Sequence, residues 1–184
     1  ILCGLFLLPI SARKITVLQW NIWQEGTMVK GGYEAIVKEI ARLRPDFVTL
    51  SEVRNYHDTN FTERLCESLR ERGVHYYSFK SYDTGLLSRY PIDDSLVVFP
   101  LNCDHGTIHK LTATVDGMKV NVYTAHLDYL NDAYYNVRGY DGSTWKEVEP
   151  PATVEELLAL NDLSWRDDAI KVFLNEARHD IAAG

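Results

Sequence analysis

Residues 15–53, ITVLQWNIWQEGTMVKGGYEAIVKEIARLRPDFVTLSEV, decide the fold. Ile15 to Ile22 is a near-continuous apolar and β-branched run, the pattern of a strand buried on both faces. Gly26, Gly31 and Gly32 interrupt it. In residues 33–44, Ile36, Val37, Ile40, Ala41 and Leu43 recur at helical spacing, and Pro45 ends the helix because the residue before a proline is driven out of the helical region. Asp46 to Val53 then returns as a strand. A strand, an amphipathic helix and a second strand in one short stretch form a βαβ unit, which predicts an α/β sheet with parallel pairing.

Working outward, Asn60 followed three residues later by Glu63 has the spacing of a capping box, opening a helix that ends at Gly73. Short strands are predicted near 75–79, 85–88 and 96–99. A hairpin from 108–115 to 118–125 follows, turned by Asp116-Gly117, a dipeptide suited to a type I′ turn. The hairpin makes the architecture mixed, α/β (α+β). A last helix is predicted from a Ser164 cap, with Ile170, Phe173, Leu174, Ala177 and Ile181 as its apolar stripe and Gly184 just beyond. There is no internal repeat and no low-complexity segment.

The chain of 184 residues suits one domain, and 46% hydrophobic with 24% charged residues excludes disordered, collagen-like and polytopic membrane classes. A net charge of −7 argues against reading nucleic acid through a basic face, so phosphate chemistry here would need a metal. Residues 127–162 hold two basic and eight acidic residues and so carry most of that charge. They also hold Tyr129, Tyr134, Tyr135, Tyr140 and Trp145 beside Pro150-Pro151. This segment reads as an acidic aromatic surface insert near 128–162, and both a self-packed loop and a substrate-facing role stay open.

Residues 1–12, ILCGLFLLPISA, are apolar and uncharged and stop at Arg13-Lys14. A membrane span needs about 20 such residues. The length, Pro9 and the small Ser11 and Ala12 read instead as the remnant of a secretory signal peptide, which predicts a secreted or periplasmic protein whose domain is 13–184. Cys3 falls in that segment. Cys66 shares a helical face with Phe61, Leu65 and Leu69, where a thiol acts as a small hydrophobe, and pairing with Cys103 stays open.

Three polar residues stand at carboxyl ends of predicted strands: Asn21 in LQWNIW, Glu52 in TLSEV and His126 in VYTAHLD. Strand carboxyl ends are where open α/β sheets place ligand sites. Singly, each has a bland explanation: a turn residue, a carboxylate at a strand exit, a buried imidazole. In order with GLLSRYPI at 85–92 and TAHLD at 124–128, QWNIW and LSEV resemble the endonuclease/exonuclease/phosphatase superfamily with its deoxyribonuclease I-like fold. The resemblance covers residues 15–126 well, the last helix loosely and the insert not at all.

The resemblance implies a sandwich of two mixed sheets flanked by helices, and a metal-dependent phosphoesterase acting on a phosphodiester or phosphomonoester. It implies that Glu52 binds Mg²⁺, with Mn²⁺ as a substitute, that Asn21 contacts phosphate or metal-bound water, and that His126 donates to a phosphate oxygen. Ala125 between threonine and histidine is a small departure from the family motif. Asp128, Tyr129 and Trp145 are candidate substrate contacts; Arg89 reads as structural.

The family's Gly-Asp-Phe-Asn and Ser-Asp-His segments are not in the sequence, and Asp104-His105 falls in the wrong order. The expectation is therefore an incomplete domain, essentially the first sheet and its helices, inactive alone and with one apolar sheet face open to association. The acidic insert favours a small phosphate ester, sugar phosphate or lipid head group over long nucleic acid. The competing reading is a non-catalytic binding module on an incomplete copy of the fold.

Overall fold

The computed structural model describes residues 13–99 and 106–183. Its elements in order are β1 (Val17–Asn21), α1 (Gly32–Leu43), β2 (Phe47–Val53), α2 (Phe61–Glu71), β3 (Tyr77–Ser78), β4 (Asp83–Ser88), β5 (Ile92–Phe99), β6 (Gly106–Val115), β7 (Met118–Leu127), α3 (Ala133–Asn136), α4 (Val154–Asn161) and α5 (Arg166–Ala182). One sheet has the order β1-β2-β4-β3, with β1 parallel to β2 and the other pairs antiparallel; the second is the antiparallel sheet β5-β6-β7. This is the mixed α/β sandwich that the resemblance implies.

The βαβ unit forms as the periodicity predicts, but β1 is not buried on both faces. Only β2 pairs with it, so its side chains alternate between half-buried and exposed: Leu18 and Trp20 pack toward α1, while Val17 is 54% exposed. The helix ends where expected, with Arg44 in the left-handed region ahead of Pro45. At Asn60 the capping box does not close. Its side chain reaches the Glu63 carboxylate at 3.3 Å, and the Phe61 amide donates instead to Asn55 Oδ1 at 3.0 Å. The last helix begins one residue later than its expected cap allows, and the Ser164 hydroxyl accepts from the Arg166 amide at 3.3 Å. The Asp116-Gly117 turn has positive φ at both residues, 50° and 83°, as a type I′ turn demands.

Three apolar clusters account for the layers. Ile36, Val37 and Ile40 of α1 and Leu65, Cys66 and Leu69 of α2 cover one face of the first sheet over Val48, Leu50 and Leu87. Phe47 and Leu86 meet Leu111, Ala113 and Val115 between the sheets. Val98, Phe99 and Ile108 on the outer face of the second sheet pack with Ala169 and Phe173 of α5.

The expected open face of the first sheet is therefore wrong. Both its faces are covered, because β5, β6 and β7 form a second sheet within these residues, and association through that face loses its basis. Strand β5 escaped notice at its start because Asp93, Asp94 and Ser95 point to solvent and break the apolar pattern. No helix among the described residues is long and apolar enough to cross a membrane. Residues 1–12, Cys103 and Asp104-His105, on which the signal peptide, the disulfide and the discounted dipeptide were read, lie outside the described residues.

Candidate functional site

The facing surfaces of the two sheets change character along their length. At one end lie Phe47, Leu86, Leu111, Ala113 and Val115. At the other, the same alternation places Thr49, Ser51, Thr84, Thr107, His109 and Thr124, all buried. A buried polar surface survives only where its groups are satisfied or serve a ligand. This end holds the carboxyl ends of β1, β2 and β7 and the start of β4.

Glu52 sits in a bulge, between Ser51 paired with Thr84 and Val53 paired with Asp83. Its φ of 69° is left-handed, a conformation a non-glycine residue adopts at a cost, and the bulge turns its side chain out of the strand's alternation. One carboxylate oxygen accepts from Asn21 Nδ2 and the other from the Gln24 amide, each at 2.8 Å. Asn21 Oδ1 in turn accepts from the Trp23 amide at 2.9 Å.

The loop that delivers Gln24 folds tightly because two glycines meet backbone to backbone. A Cβ on Gly32 would lie 2.2 Å from the Gly26 carbonyl oxygen, and Gly26 itself has φ 76°. Beneath the loop, buried Glu25 accepts from the Arg54 and Asn55 amides at 2.9 and 2.6 Å and from Arg64 at 3.1 Å. The loops after β1 and β2 are thereby tied together.

His126 faces inward from β7, its Nδ1 lying 2.9 Å from Asp83 Oδ1. Asp83 is fully buried, has φ 62° and also accepts from Arg54 Nη1 at 2.5 Å. The Asp83 bond holds the His126 imidazolium above the ordinary histidine pKa against the opposing effect of burial, and Glu52 is near enough to add to the rise. With Nδ1 turned to Asp83, Nε2 is the nitrogen on the ring's other edge. His109, one strand away on β6, behaves oppositely: burial lowers its pKa to about 4, and its Nδ1 shares a 2.7 Å bond with Thr84 Oγ1.

Of the sequence-predicted residues, Asn21, Glu52 and His126 thus converge on one end of the sandwich. Asp128 is held in backbone contacts beside the start of α5. It is 3% exposed and its carboxylate accepts from the Leu130 and Trp165 amides, each at 3.0 Å, fixing the start of α5. A carboxylate just past a strand end also suits a chain reversal. Tyr129 is 43% and Trp145 65% exposed, and the Trp145 ring packs edge-on against Tyr135 at 5.0 Å. The Arg89 amide donates to the Asp46 carbonyl.

Two residues in contact with this end of the sandwich were not foreseen: Asp83 and Arg54. Their signals were a carboxylate two residues before the run GLL and a cation directly after LSEV.

The donors suit a hard divalent cation only in part. Glu52 offers one carboxylate whose oxygens keep unshared lone pairs beyond the two hydrogen bonds. Among the described residues there is no group of three or more His, Cys, Asp or Glu side chains arranged to hold a metal ion. This fits Mg²⁺, which keeps several waters and binds through one or two carboxylates plus substrate phosphate, and does not fit a closed protein cage.

The fold is two packed sheets with helices outside, and a carboxylate, an amide and an imidazole come together at its strand ends. Residues 18–181 match the model of the Endonuclease/Exonuclease/phosphatase family, and the chain belongs to that family. Uncharacterized protein F14F9.5 of Caenorhabditis elegans is 28% identical over 129 residues, which are 68% of this chain and 38% of that protein. The chain therefore spans well under half the length of that relative.

Solved structures overlap in part. An endonuclease/exonuclease/phosphatase family protein from Leptotrichia buccalis C-1013-b aligns with TM-score 0.48 and 19% identity over 62% of this chain and 54% of its own. A humanized D. rerio TDP2 aligns with TM-score 0.49 and 20% identity over 67% and 52%. ANGEL2, a 2′,3′-cyclic phosphatase, aligns with TM-score 0.47 and 14% identity over 66% and 43%.

Proposed function

We propose that this chain supplies the phosphate-orienting part of a Mg²⁺-dependent phosphoesterase, with Mn²⁺ as a substitute, acting on a phosphodiester or phosphomonoester. The observation that carries the reading is the His126–Asp83 pair, a surface-reachable imidazole locked by a fully buried carboxylate beside Glu52. A histidine kept merely to fill a core would be held neutral by burial, as His109 is.

Each residue then has a defined task. Asp83 fixes the His126 ring and holds its proton, so that Nε2–H donates to a phosphoryl oxygen as negative charge builds there. Asn21 and the Gln24 amide hold the Glu52 carboxylate in one orientation, and Glu52 would hold the cation. When bound, the cation neutralises phosphate charge and lowers the pKa of water. The reading gives this chain positioning and proton donation; it assigns no general base, because the Ser-Asp-His segment is not in the sequence.

The acidic insert supports a small phosphate ester, a sugar phosphate or a lipid head group as substrate, since long polyanions are repelled by it. Tyr129 and Trp145 are its candidate contacts to the remainder of the substrate. Export of the protein remains part of the proposal on the strength of residues 1–12.

The test is a panel of small phosphate esters assayed with Mg²⁺ using the parent protein, with Glu52→Gln and His126→Ala alongside. Glu52→Gln is expected to weaken Mg²⁺ binding in titration calorimetry, and His126→Ala to lower turnover by about 10²-fold with little change in melting temperature. Unaltered Mg²⁺ affinity in the first variant, or full turnover in the second, would overturn the assignment and favour the non-catalytic binding module.

A further inference from the structure

The loop after β1 contains a left-handed turn. Trp23, Gln24, Glu25 and Gly26 have φ of 42°, 54°, 60° and 76°, and the Gly26 amide closes the turn on the Ile22 carbonyl at 2.7 Å. Such backbone is costly for any residue with a Cβ. Three of the four residues have a visible reason to adopt it: the Gln24 amide holds Glu52, the buried Glu25 carboxylate ties down the loop after β2, and Gly26 meets Gly32 backbone to backbone. Position 23 is the exception.

The Trp23 amide donates to Asn21 Oδ1 at 2.9 Å, a bond that any residue except proline would supply. Its side chain is not needed for that. A glycine would take this φ freely, yet the position holds an indole that is 55% exposed. Among the described residues the indole belongs to none of the three apolar clusters and packs on no other aromatic ring. Folding gains little from a large exposed ring on strained backbone, whereas ligand sites are where such strain is kept.

We propose that Trp23 is a specificity-determining residue of the strand-end site, whose indole stacks on the flat face of a neutral ring, sugar or aryl, carried by the alcohol of the phosphate ester. The Trp23 backbone is bonded to Asn21 and the next amide to Glu52, so the indole borders the place that the reading of the site gives to the phosphoryl group. The proposal rests on the phosphoesterase reading for the phosphate and on the turn's geometry for the ring. Neighbouring charge selects a neutral ring over a cationic one: His126 is held protonated at this end, and the cation that Glu52 would hold adds to it, so a quaternary ammonium beside the phosphoryl group is repelled.

Titration of four esters into the full chain with Mg²⁺ tests it, with calorimetry for affinity and NMR of the Trp23 indole N–H for contact. Phenyl phosphate and glucose 1-phosphate carry the two kinds of ring; methyl phosphate and phosphocholine carry none. At least one ring ester should bind about fivefold more tightly than methyl phosphate and shift the indole resonance, and the tighter of the two identifies the source of the ring. Trp23→Ala should abolish that advantage and leave methyl phosphate binding as it was, while Trp23→Phe should keep most of it. Trp23→Gly, which relieves the strained φ, keeps the test decisive should Trp23→Ala fail to fold, and its melting temperature should stay within about 2 °C of the unsubstituted chain.

Equal affinities for methyl phosphate and both ring esters, or an advantage that survives in Trp23→Ala, would overturn the stacking role and leave the phosphate site standing. Weaker methyl phosphate binding in Trp23→Ala would overturn it too, because the defect would then lie in the Asn21–Glu52 bonds that the Trp23 backbone supports. A fall of about 10 °C in Trp23→Gly would mark the indole as structural. Phosphocholine binding as tightly as the better ring ester would overturn the choice of a neutral ring. Failure of all four esters to bind would overturn the phosphoesterase reading and this one with it, so the two failures are told apart without any measurement of turnover.

Discussion

The strand-end site and the acidic insert are held by different kinds of contact. At the site, partners come from far apart in the chain: Asn21 with Glu52, Arg54 with Asp83, Asp83 with His126. Within the insert the bonds are local. Asp132 caps α3 through the Tyr134 amide, Asp141 accepts from the Ser143 and Thr144 amides, and Arg138 reaches back to the Tyr134 hydroxyl. Its ties to the sandwich pass through Arg166, which donates to the Asp128, Leu130 and Asn131 carbonyls and to Asn161, and through the buried Asp128. The site is thus part of what makes the sandwich fold, while the insert is mounted on it. A change in the buried groups that tie the first together should cost stability as well as chemistry; a change in the second should alter one without the other.

The sharpest way to break this comparison is Asp83→Asn. The substitution neutralises a fully buried carboxylate that pairs with both Arg54 and His126, and breaking a buried ion pair costs about 3–5 kcal/mol. His126→Ala leaves Arg54 and Asp83 paired and should cost far less. Chemical denaturation of both variants would measure the difference, and equal losses would mean that Asp83 serves the histidine alone.

Acid should act through the same end of the sandwich. His109 has its pKa lowered to about 4 by burial, against an ordinary value near 6.5. Between those values the unfolded chain takes up a proton that the folded chain refuses, so the stability this group gives at neutral pH is lost as pH falls through that window. The loss is about 3 kcal/mol when complete. His126, raised by Asp83, has the opposite sign: its contribution is present at low pH and disappears as pH rises through its elevated pKa. Stability profiles of His109→Gln and His126→Ala should therefore diverge on opposite sides of pH 6.5, and parallel profiles would show that the two environments do not differ.

How much of this was readable in advance follows from the kind of contact. Asn21, Glu52 and His126 could be found because each closes a strand whose apolar pattern is plain, and their order along the chain is distinctive. The Asp116-Gly117 hairpin was equally plain, since the turn chemistry is local. Asp83 was not. It follows the polar stretch KSY, the strand it opens was expected only from Gly85, and nothing local reveals that β4 runs antiparallel beside β2 and brings residue 83 opposite Val53. The second sheet was missed although its strands were expected at 96–99 and in the 108–125 hairpin: the local pattern does not say that β5 pairs with β6, and the exposed Asp93-Asp94-Ser95 shortens β5 in the reading. Asp128 has a strand-end address as well, and its carboxylate accepts from the Leu130 and Trp165 amides, contacts that no local pattern reveals.

A smaller effect is expected at the joint between the two regions. Arg166→Ala removes donors to three carbonyls and to Asn161, and should cost about 1–2 kcal/mol, because those carbonyls are near enough to the surface for water to replace part of what is lost. Hydrogen exchange should quicken in residues 128–165 and not in β2, β4 or β6. Faster exchange in the strands would show that the insert is integral to the sandwich after all.

The smallest effect on stability, and the one that decides what the insert is for, belongs to Trp145→Ala. With 65% of its surface exposed and one ring contact to Tyr135, the side chain buries little, so the melting curve should move by no more than about 0.5 kcal/mol. A large aromatic surface kept in water has a use if a substrate's sugar or cationic head group covers it. In that case KM for the preferred phosphate ester rises several-fold while kcat holds, the mark of binding removed equally from ground and transition states. The same substitution should leave an ester with a minimal leaving group unaffected, because nothing of that substrate would reach the insert. If KM is unchanged for every ester in the panel, Trp145 is only the far wall of the Tyr135 packing, and the insert's charge rather than its rings must account for any selectivity.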